Sequence, residues 1–418
     1  MPASNAGIVS FEDARHIVEG HAALLAPLGV EIIDLLAARG RILAEPVVAD
    51  RDFPPFDRAT RDGYAVRAAD TSSIPARLSV AGEIRAGGET PSSFQLQARQ
   101  AISIMTGAPL PAGADAVVMV EHTQAEASSV EVRRSVQQGE NFVARAAEAR
   151  AGQTLLAVGT RIDHAAVALA SSVGAGTLRV YRKPRVAILA TGDEIVPIDA
   201  VPGPAQIRNS NTYSLAAQVE QAGGEPVLLP IAPDASARLQ SLLEDGLGAD
   251  LLLIAGGVSM GKYDLVEQVL SSLRAEFFFT GALIQPGRPV VFGRCPLRVP
   301  SDSGRDATCF LGLPGNPVST MVTFELFARP LIDALAGGKP QPLTFLQARL
   351  KSDVQTKTGL TRFLPARLTG EMGNSQVELV RWQGSGDIAA LALANCYLVV
   401  PPDRERIAAG EPVFLLLR

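Results

Sequence analysis

The chain has 418 residues, of which 47% are apolar and 19% carry a charge. At roughly 100 to 200 residues per domain, this length predicts two to four domains, and the composition is that of a globular protein with a buried core. The formal net charge of −5 excludes a global attraction to nucleic acid or to an anionic membrane, so any anion site must be local.

The cysteines, the N-terminal residues and the length of the apolar runs exclude further classes of protein. Cys295, Cys309 and Cys396 are too few and too scattered for a disulfide framework or a thiolate metal site. Residues 1–10 lack the basic flank and apolar stretch of a signal peptide. No apolar run approaches the ~20 residues that cross a bilayer. We therefore expect a cytoplasmic protein.

The first half of the chain mixes helical and β patterns. Hydrophobic periodicity predicts a helix at residues 11–25 and a second at residues 35–43, which Pro46 ends. Short β-rich runs between Gly and Pro at residues 50–136 predict a small β domain. A short strand, a helix at 164–173 and a linker at 177–184 follow.

From Pro184 onward, apolar runs alternate with helical segments. Strands that are apolar on both faces and alternate with helices indicate a doubly wound parallel sheet. The predicted strands contain "RVAILA", "PVLLPI", "DLLLIA", "PVVFG" and "CFLGL", and the helices lie at 212–222, after Asp234, at 263–273 and at 317–335.

The sequence thus predicts a multi-domain fold of α/β and β units. A discontinuous helical and β domain takes residues 1–49 and 148–180, and a β-rich domain takes residues 50–147. Residues 181–337 form the doubly wound α/β domain. Residues 338–418 form a small C-terminal β domain.

Four distinctive loops lie at one end of the predicted sheet, where open parallel sheets bind ligands. Glycines let backbone N–H groups approach a ligand, and helix starts favour anions. The loops are "ATGDE" with Asp193 and Glu194, "AGGVSMGKYD" with Gly257, Ser259 and Asp264, "QPGRPV" with Arg288, and "GLPGNPVS" with Pro314, Asn316 and Ser319.

Together these loops predict a cradle for a phosphate or another oxyanion. Asp193, Glu194 and Asp264 are the candidates for holding Mg²⁺, which prefers one or two carboxylates together with phosphate and water. Each loop alone has a simpler interpretation as a tight turn or a helix cap. In the β domain, "PPFDRATRDGYAV" alone favours a turn with surface ion pairs.

Seven ordered segments resemble the motifs of the molybdopterin molybdenumtransferases, the MoeA and gephyrin E-domain family. They span about 340 residues, and their order makes the signal far more specific than any single motif. The segments are "PPFDRATRDGYA", "MTGAPLPAGADAVVMVE", "TGDE", "GGVSMGKYD", "PGRP", "GLPGNPVS" and "QGSGDIAALALANCYLVVP".

The resemblance implies an elongated, four-domain homodimer whose third domain shares the MogA-type fold. It implies insertion of molybdate into adenylylated molybdopterin, with release of AMP that depends on Mg²⁺ or another divalent cation. A MogA-like molybdopterin adenylyltransferase and apo-molybdoenzymes or their chaperones are the implied partners. Tungstate is near-isosteric with molybdate, and the sequence does not distinguish the two.

Matched motif positions assign roles to individual residues. The resemblance implies that Asp62 and Thr106 of the β domain complete a site, which in a dimer is the site of the partner subunit. Residues around the metal and nucleotide would be Glu194, Asp234 and Asp264, with Glu194 and Asp264 as metal ligands. Those lining the pterin, phosphate and molybdate loops would be Gly257, Ser259, Arg288, Pro314, Asn316, Ser319 and Ser385.

The sequence also departs from the family pattern. Arg61 stands where the family usually has Met, and Ala146-Ala147-Glu148 replaces its Gly-Glu-Asp. Gln285 stands where the family has a lysine, and Leu360 and Pro365 stand where it has arginines. Lys262 and Arg362 stand where the family has acidic residues, and Glu267 stands where a lysine is frequent. Lys262 and Arg362 are candidates for restoring the lost positive charge, although a lysine does not replace a bidentate arginine.

These departures leave two further hypotheses open beside an active transferase. A divergent paralogue would bind molybdopterin or its adenylate without inserting metal, as a carrier or sensor. A dimeric scaffold would have lost the cofactor chemistry altogether. Without the resemblance, the fold indicates only a nucleotide-dependent transferase, and fold alone does not establish function.

Overall fold

The computed structural model describes residues 7–88, 95–257, 265–297, 304–339 and 342–418. Over those ranges, none of the helices combines the length and apolar character that a bilayer crossing requires. The division into four domains stays a prediction, and the sheets are described below in chain order.

The N-terminal segment confirms one predicted helix and corrects the other. Helix α1 (Phe11–Leu24) begins at Ser10, whose Oγ accepts the Asp13 N–H at 3.0 Å. The helix predicted at residues 35–43 is wrong, because only Leu35–Ala38 forms a 3₁₀ turn. Gly40 then takes φ +80°, a left-handed conformation that ends the turn. The strands here are β1 (Ile8–Val9), β2 (Val30–Asp34) and β3 (Val47–Val48).

The strands of the predicted β-rich region are β4 (Arg58–Ala59), β5 (Gly63–Val66), β6 (Ala76–Ile84), β7 (Gln100–Ile104), β8 (Ala116–Met119), β9 (Thr123–Ala125), β10 (Ser129–Val132) and β11 (Phe142–Val143). Six of them form a sheet in the order β8-β5-β7-β6-β10-β9, and its inward side chains form two small apolar clusters. Strands β4 and β11 pair with each other.

The chain then returns to the N-terminal segment. Strand β12 (Thr154–Leu156) pairs with β3, and helix α2 (His164–Ser172) follows as predicted. The linker predicted at 177–184 is wrong as far as Tyr181, because β13 (Thr177–Tyr181) pairs antiparallel with β2 along its whole length. Leu178 and Val180 alternate into an apolar cluster, the period of a strand.

The next strands along the chain are β14 (Arg185–Ala190), β15 (Ile195–Val196), β16 (Ile207–Arg208), β17 (Glu225–Leu228), β18 (Leu251–Ala255), β19 (Glu276–Phe279), β20 (Gly281–Ala282), β21 (Ile284–Gln285), β22 (Val291–Pro296) and β23 (Ala307–Leu313). Six of them form a mixed sheet in the order β17-β14-β18-β23-β22-β19, called the central sheet here, which confirms the doubly wound prediction. Its first four strands are parallel, while β22 runs antiparallel to both neighbours.

Helices cover both faces of the central sheet. The helices are α3 (Asn211–Gln221), α4 (Ser236–Leu247), α5 (Leu265–Ser272), α6 (Pro317–Thr323) and α7 (Arg329–Leu335). Along β18, Leu251 and Leu253 pack into the cluster with α1, α3, α6 and α7, while Leu252 and Ile254 pack against α4 and α5. A π-helical turn, Phe324–Ala328, joins α6 to α7.

The C-terminal residues form a further sheet in the order β21-β26-β27-β24-β30-β28, called the C-terminal sheet here. Its first strand, β21, comes from the loop region before β22, so the two sheets are joined through backbone pairing. Its other elements are β24 (Phe345–Leu350), β25 (Val354–Gln355), β26 (Thr361–Thr369), β27 (Gln376–Leu379), α8 (Ile388–Leu393), β28 (Cys396–Val400), β29 (Arg406–Ile407) and β30 (Pro412–Leu417).

The two-faced burial of β18 predicts the effect of a truncation. Leu253→Ala removes a side chain that is 0% exposed and is expected to cost about 2 to 5 kcal/mol of unfolding free energy. Leu393→Ala, at a position 70% exposed, serves as the control with an expected change within about 0.5 kcal/mol. Calorimetric unfolding of both variants checks this, and equal destabilisation would contradict the placement of Leu253 in the core.

Candidate functional site

A cleft of about 1240 Å³ lies at the carboxyl ends of β14, β18 and β23. It is the place that the loop motifs predict, and Gly386 and Ile388 of the C-terminal region also line it. The other lining residues include Thr191, Gly192, Glu194, Asn209, Asn211, Asp234, Gly256, Gly257, Pro289, Pro314, Gly315 and Asn316.

The two glycines after β18 are required by space and by backbone conformation. Gly256 has φ +92°, and a Cβ there would lie 2.9 Å from the carbonyl oxygen of Thr191. Gly257 has φ +66°, and its Cβ would lie 2.7 Å from the Thr191 hydroxyl. A side chain at either position would therefore press on Thr191 and push the ends of β14 and β18 apart.

Two carboxylates of the described chain line the cleft, those of Glu194 and Asp234. Asp193, the third candidate acid, instead holds two loops together, since its Oδ1 accepts the Asp234 N–H at 3.0 Å. In the described part of the chain, no three His, Cys, Asp or Glu side chains come together as a metal-holding group. Ser259 and Asp264 lie outside the described residues. Two carboxylates beside a substrate phosphate fit the way proteins usually bind Mg²⁺.

Two polar atoms at the cleft are buried without a partner in the described structure. They are the Thr191 hydroxyl and Oδ1 of Asn211. The Asn211 side-chain amide is fixed, because its Nδ2 donates to the Gly315 carbonyl at 2.7 Å. Buried polar atoms in folded proteins almost always have a partner, so these two are candidates for contact with a bound ligand. The sequence motifs alone did not single out either residue.

The loop before α8 is tied to the start of α6. Asn316 Nδ2 donates to Ser385 Oγ at 2.9 Å, and the Val318 N–H donates to the Ser385 carbonyl at 3.0 Å. The structure thus brings the predicted residues Asn316 and Ser385 together. Ser319 is 3% exposed and is not among the residues that line the cleft.

The "QPGRP" loop reaches the cleft through Pro289. Gly287 has φ +107°, and a Cβ there would lie 2.5 Å from Thr323 Cγ2, so this loop packs directly on α6. Arg288 has an exposed side chain. Its guanidinium has no ion-pair partner among residues 7–88, 95–257, 265–297, 304–339 and 342–418.

Asp62 and Thr106 lie together, but neither lines the cleft. Asp62 Oδ1 accepts the Thr106 N–H at 2.6 Å. This bond, with a further one from the Thr106 hydroxyl, lowers the pKa of Asp62 below its ordinary value. In the same "PPFDRATRDGYAV" motif, Arg58 forms a surface ion pair with Glu148 at 2.8 Å. This pair agrees with the interpretation of that part of the motif as a turn with surface ion pairs.

A second, apolar slot of about 570 Å³ adjoins the cleft. The two cavities share Gly192, Ile195 and Asn209. Leu228, Pro230 and Pro233 form apolar walls, and Tyr213, which is 48% exposed, also lines the slot. Asp193, Asn209 and Thr212 add polar groups to the lining, so the slot suits a flat ring with polar edges.

Three protein-family models match successive parts of the chain. Residues 9–174 match the model of the "MoeA N-terminal region (domain I and II)", residues 187–334 the "Probable molybdopterin binding domain", and residues 347–417 the "MoeA C-terminal region (domain IV)".

Full-length relatives extend this similarity over most of the chain. The molybdopterin molybdenumtransferase of Nostoc sp. is 37% identical over 395 residues, 92% of this chain and 88% of the relative. Molybdopterin molybdenumtransferase 1 of Mycobacterium tuberculosis is 34% identical over 420 residues, covering 94% and 95%. The crystal structure of a molybdopterin biosynthesis MoeA protein from Pyrococcus horikoshii OT3 superimposes with a TM-score of 0.77, at 28% identity and covering 98% and 100%.

The bond between Asp62 and Thr106 predicts a pH dependence. Because the folded pKa of Asp62 is depressed, its contribution to stability is fully present above the unfolded pKa and is lost as the pH falls through the folded pKa. Asp62→Ala should therefore lower Tm equally at pH 7 and pH 5, and the difference from the unchanged protein should shrink at lower pH. Thermal unfolding over this range checks the prediction, and a difference that grows towards low pH would contradict it.

Proposed function

The chain belongs to the molybdopterin molybdenumtransferase family, and we propose that it inserts molybdate into adenylylated molybdopterin with release of AMP. The observation that carries the proposal is the cleft at the three strand ends, where two carboxylates and a Gly-Gly loop meet two buried polar atoms that have no partner among the described residues. Molybdate and phosphate are both tetrahedral oxyanions, and such groups are bound by backbone N–H groups, hydroxyls and cations.

Glu194 and Asp234 are the residues that would hold Mg²⁺, together with phosphate oxygens of the substrate, and the sequence adds Asp264. When bound, the cation neutralises phosphate charge and makes AMP a better leaving group. The Thr191 hydroxyl, which is 5% exposed, would donate to a substrate oxygen. Gly257 would let the backbone approach the phosphates.

The apolar slot next to the cleft extends the fit to the rest of the substrate. Adenylylated molybdopterin carries two flat ring systems, a pterin and an adenine. Tyr213 and Leu228 offer an apolar surface for one of them. Because this slot and the cleft share Gly192, a ring in the slot would leave the phosphates beside Glu194 and Asp234.

A homodimer would complete this site. Asp62 and Thr106 do not line the cleft of their own chain, and the resemblance assigns them to the partner subunit's site. An ionised Asp62, held by the Thr106 N–H, would then reach the substrate from the opposite side. A MogA-like adenylyltransferase would supply the substrate, and apo-molybdoenzymes or their chaperones would receive the product, all in the cytoplasm.

One set of observations favours a second candidate, a carrier or sensor that binds the adenylate without turnover. Gln285, Leu360 and Pro365 replace cationic residues of the family pattern. Removing one charge-stabilising donor costs about 10²–10³ in rate in a well-studied hydrolase, so several losses can end catalysis. Under this alternative, adenylylated molybdopterin would bind but no AMP would form.

The transferase proposal predicts the behaviour of two variants. Purified protein supplied with adenylylated molybdopterin, molybdate and Mg²⁺ should release AMP and activate an apo-molybdoenzyme. Glu194→Ala and Asp62→Ala should each reduce AMP release at least about 100-fold. Asp199→Ala removes an exposed acid of the Glu194 loop region and is the control, with activity unchanged. Substrate binding without AMP release by the unchanged protein would establish the carrier instead.

The shared site predicts complementation between inactive subunits. Asp62→Ala and Glu194→Ala subunits, mixed after subunit exchange, should form heterodimers in which one site has both carboxylates. Random pairing would then restore about a quarter of the normal activity. If Asp62 acts on the cleft of its own chain, every site in the mixture lacks one carboxylate and no activity returns. Light scattering of the same samples measures whether dimers form at all.

A further inference from the structure

The side-chain amide of Asn211 lies between the start of α3 and the loop before α6. Asn211 lines the cleft, and its Nδ2 donates to the Gly315 carbonyl at 2.7 Å. Gly315 lines the cleft as well, and a Cβ on it would lie 3.7 Å from Cα of Gly256. The amide is therefore held at the point where the loops after β18 and β23 meet the start of α3.

The bond to Gly315 also fixes the orientation of the amide. An exchange of its two ends would bring Oδ1 to 2.7 Å from the Gly315 oxygen, a repulsive contact between two acceptors. Oδ1 of Asn211 is buried and has no hydrogen-bond partner among the residues that the structure describes. An amide oxygen accepts hydrogen bonds and does not donate them. Any group that pairs with this atom must therefore be a donor.

The start of α3 does not use this oxygen. Asn209 caps the helix instead, because its Oδ1 accepts the Thr212 N–H at 3.1 Å and its Nδ2 donates to the Thr212 hydroxyl at 2.9 Å. A residue that only had to hold the Gly315 carbonyl would need a donor and no acceptor. Since a buried acceptor without a donor is costly, the oxygen of Asn211 is not explained by the fold.

Gln218, about two turns further along the same face of α3, provides a comparison. Its Nε2 donates to the Met321 carbonyl at 3.1 Å and to Glu325 Oε1 at 2.7 Å. Its Oε1 is also buried without a partner over the described ranges, yet Gln218 does not line the cleft. A buried amide oxygen is thus not a ligand site by itself. The position at the cleft is what distinguishes Asn211.

The chemistry of the substrate narrows the choice of donor. Ionised molybdate and phosphate oxygens are acceptors, so an oxyanion does not pair with Asn211 Oδ1. A ring with an exocyclic amino group does, because the amine carries two N–H donors. The slot that suits a flat ring adjoins this part of the cleft, since Asn209 lines both cavities and Tyr213, in the first turn of α3, lines the slot.

We propose that Asn211 is a specificity-determining residue that accepts a hydrogen bond from the exocyclic amino group of a substrate ring. The inference rests on the proposed function for the identity of that ring, since adenylylated molybdopterin carries one such amine on its adenine and another on its pterin. A ring with hydrogen in place of the amine leaves Oδ1 unpaired and is bound less tightly. Asn211 acts in recognition and takes no covalent step.

Two pairs of ligands, each differing by one amino group, test the assignment. The first pair is AMP and purine riboside 5′-monophosphate, and the second is pterin and pteridin-4-one. Calorimetric titration without Mg²⁺, which excludes a cation as the partner of the amide oxygen, gives the ratio of affinities within each pair. The unchanged protein should bind the amino form about tenfold more tightly in one pair, and Asn211→Leu should reduce that ratio to about one.

The pair that shows the preference identifies the ring, adenine for AMP and the pterin for the second pair. Equal affinities within both pairs for the unchanged protein, no binding of any of the four ligands, or a ratio that Asn211→Leu leaves intact would overturn the proposal. Asn211→Ser removes the same oxygen with a smaller change in polarity and gives the same test if Asn211→Leu does not fold.

Gln218→Leu is the matched control for a structural role. It removes a bond between α3 and α6 but leaves the residues that line the cleft in place. Both leucine variants should lower Tm, because each loses a buried hydrogen bond. Only Asn211→Leu should change the ratio of affinities, since a purely structural loss weakens both members of a pair alike. The same change of ratio in Gln218→Leu would contradict the proposal.

The binding ratios are independent of turnover. A chain that prefers the amino form but releases no AMP from adenylylated molybdopterin supports the role of Asn211 and contradicts the transferase proposal. A chain that releases AMP but shows no amino preference does the reverse.

Discussion

The cleft depends on the parallel pairing of β14, β18 and β23. Parallel strands bring their carboxyl ends to one edge, and this register places Ala190 opposite Ala255 and Ala255 opposite Leu313. Three segments that are far apart in the sequence therefore deliver their loops to one place. The loops fit there only because Gly256 and Gly257 present no side chain towards Thr191. Any residue with a Cβ at these positions would clash with Thr191.

The pairing of β21 with β26 adds the second constraint. It makes a strand from the loop region of the central sheet the edge of the C-terminal sheet. Bonds between Ser385 and the start of α6 act at the same junction. The C-terminal region therefore forms one wall of the cleft, through Gly386 and Ile388.

Much of the fold is predictable from hydrophobic periodicity, and the predictions that failed did so for local reasons. The apolar runs of β14 and β18 indicate strands buried on both faces, and the structure confirms them. The run at 35–43 has helical composition, yet Gly40 in a left-handed conformation ends it after one turn. The alternation of Leu178 and Val180 is too short to distinguish a strand from a linker without its partner β2.

The sequence predicts site residues only where the residue type itself indicates the chemistry. Glu194, Asp234, Gly257 and Asn316 follow from motifs, and the structure brings them to one cleft. Thr191 and Asn211 are added by the structure because, over the described residues, their side-chain oxygens are buried without partners, a property that the sequence alone does not show. Asp193, in contrast, has the right residue type but is occupied by the Asp234 N–H.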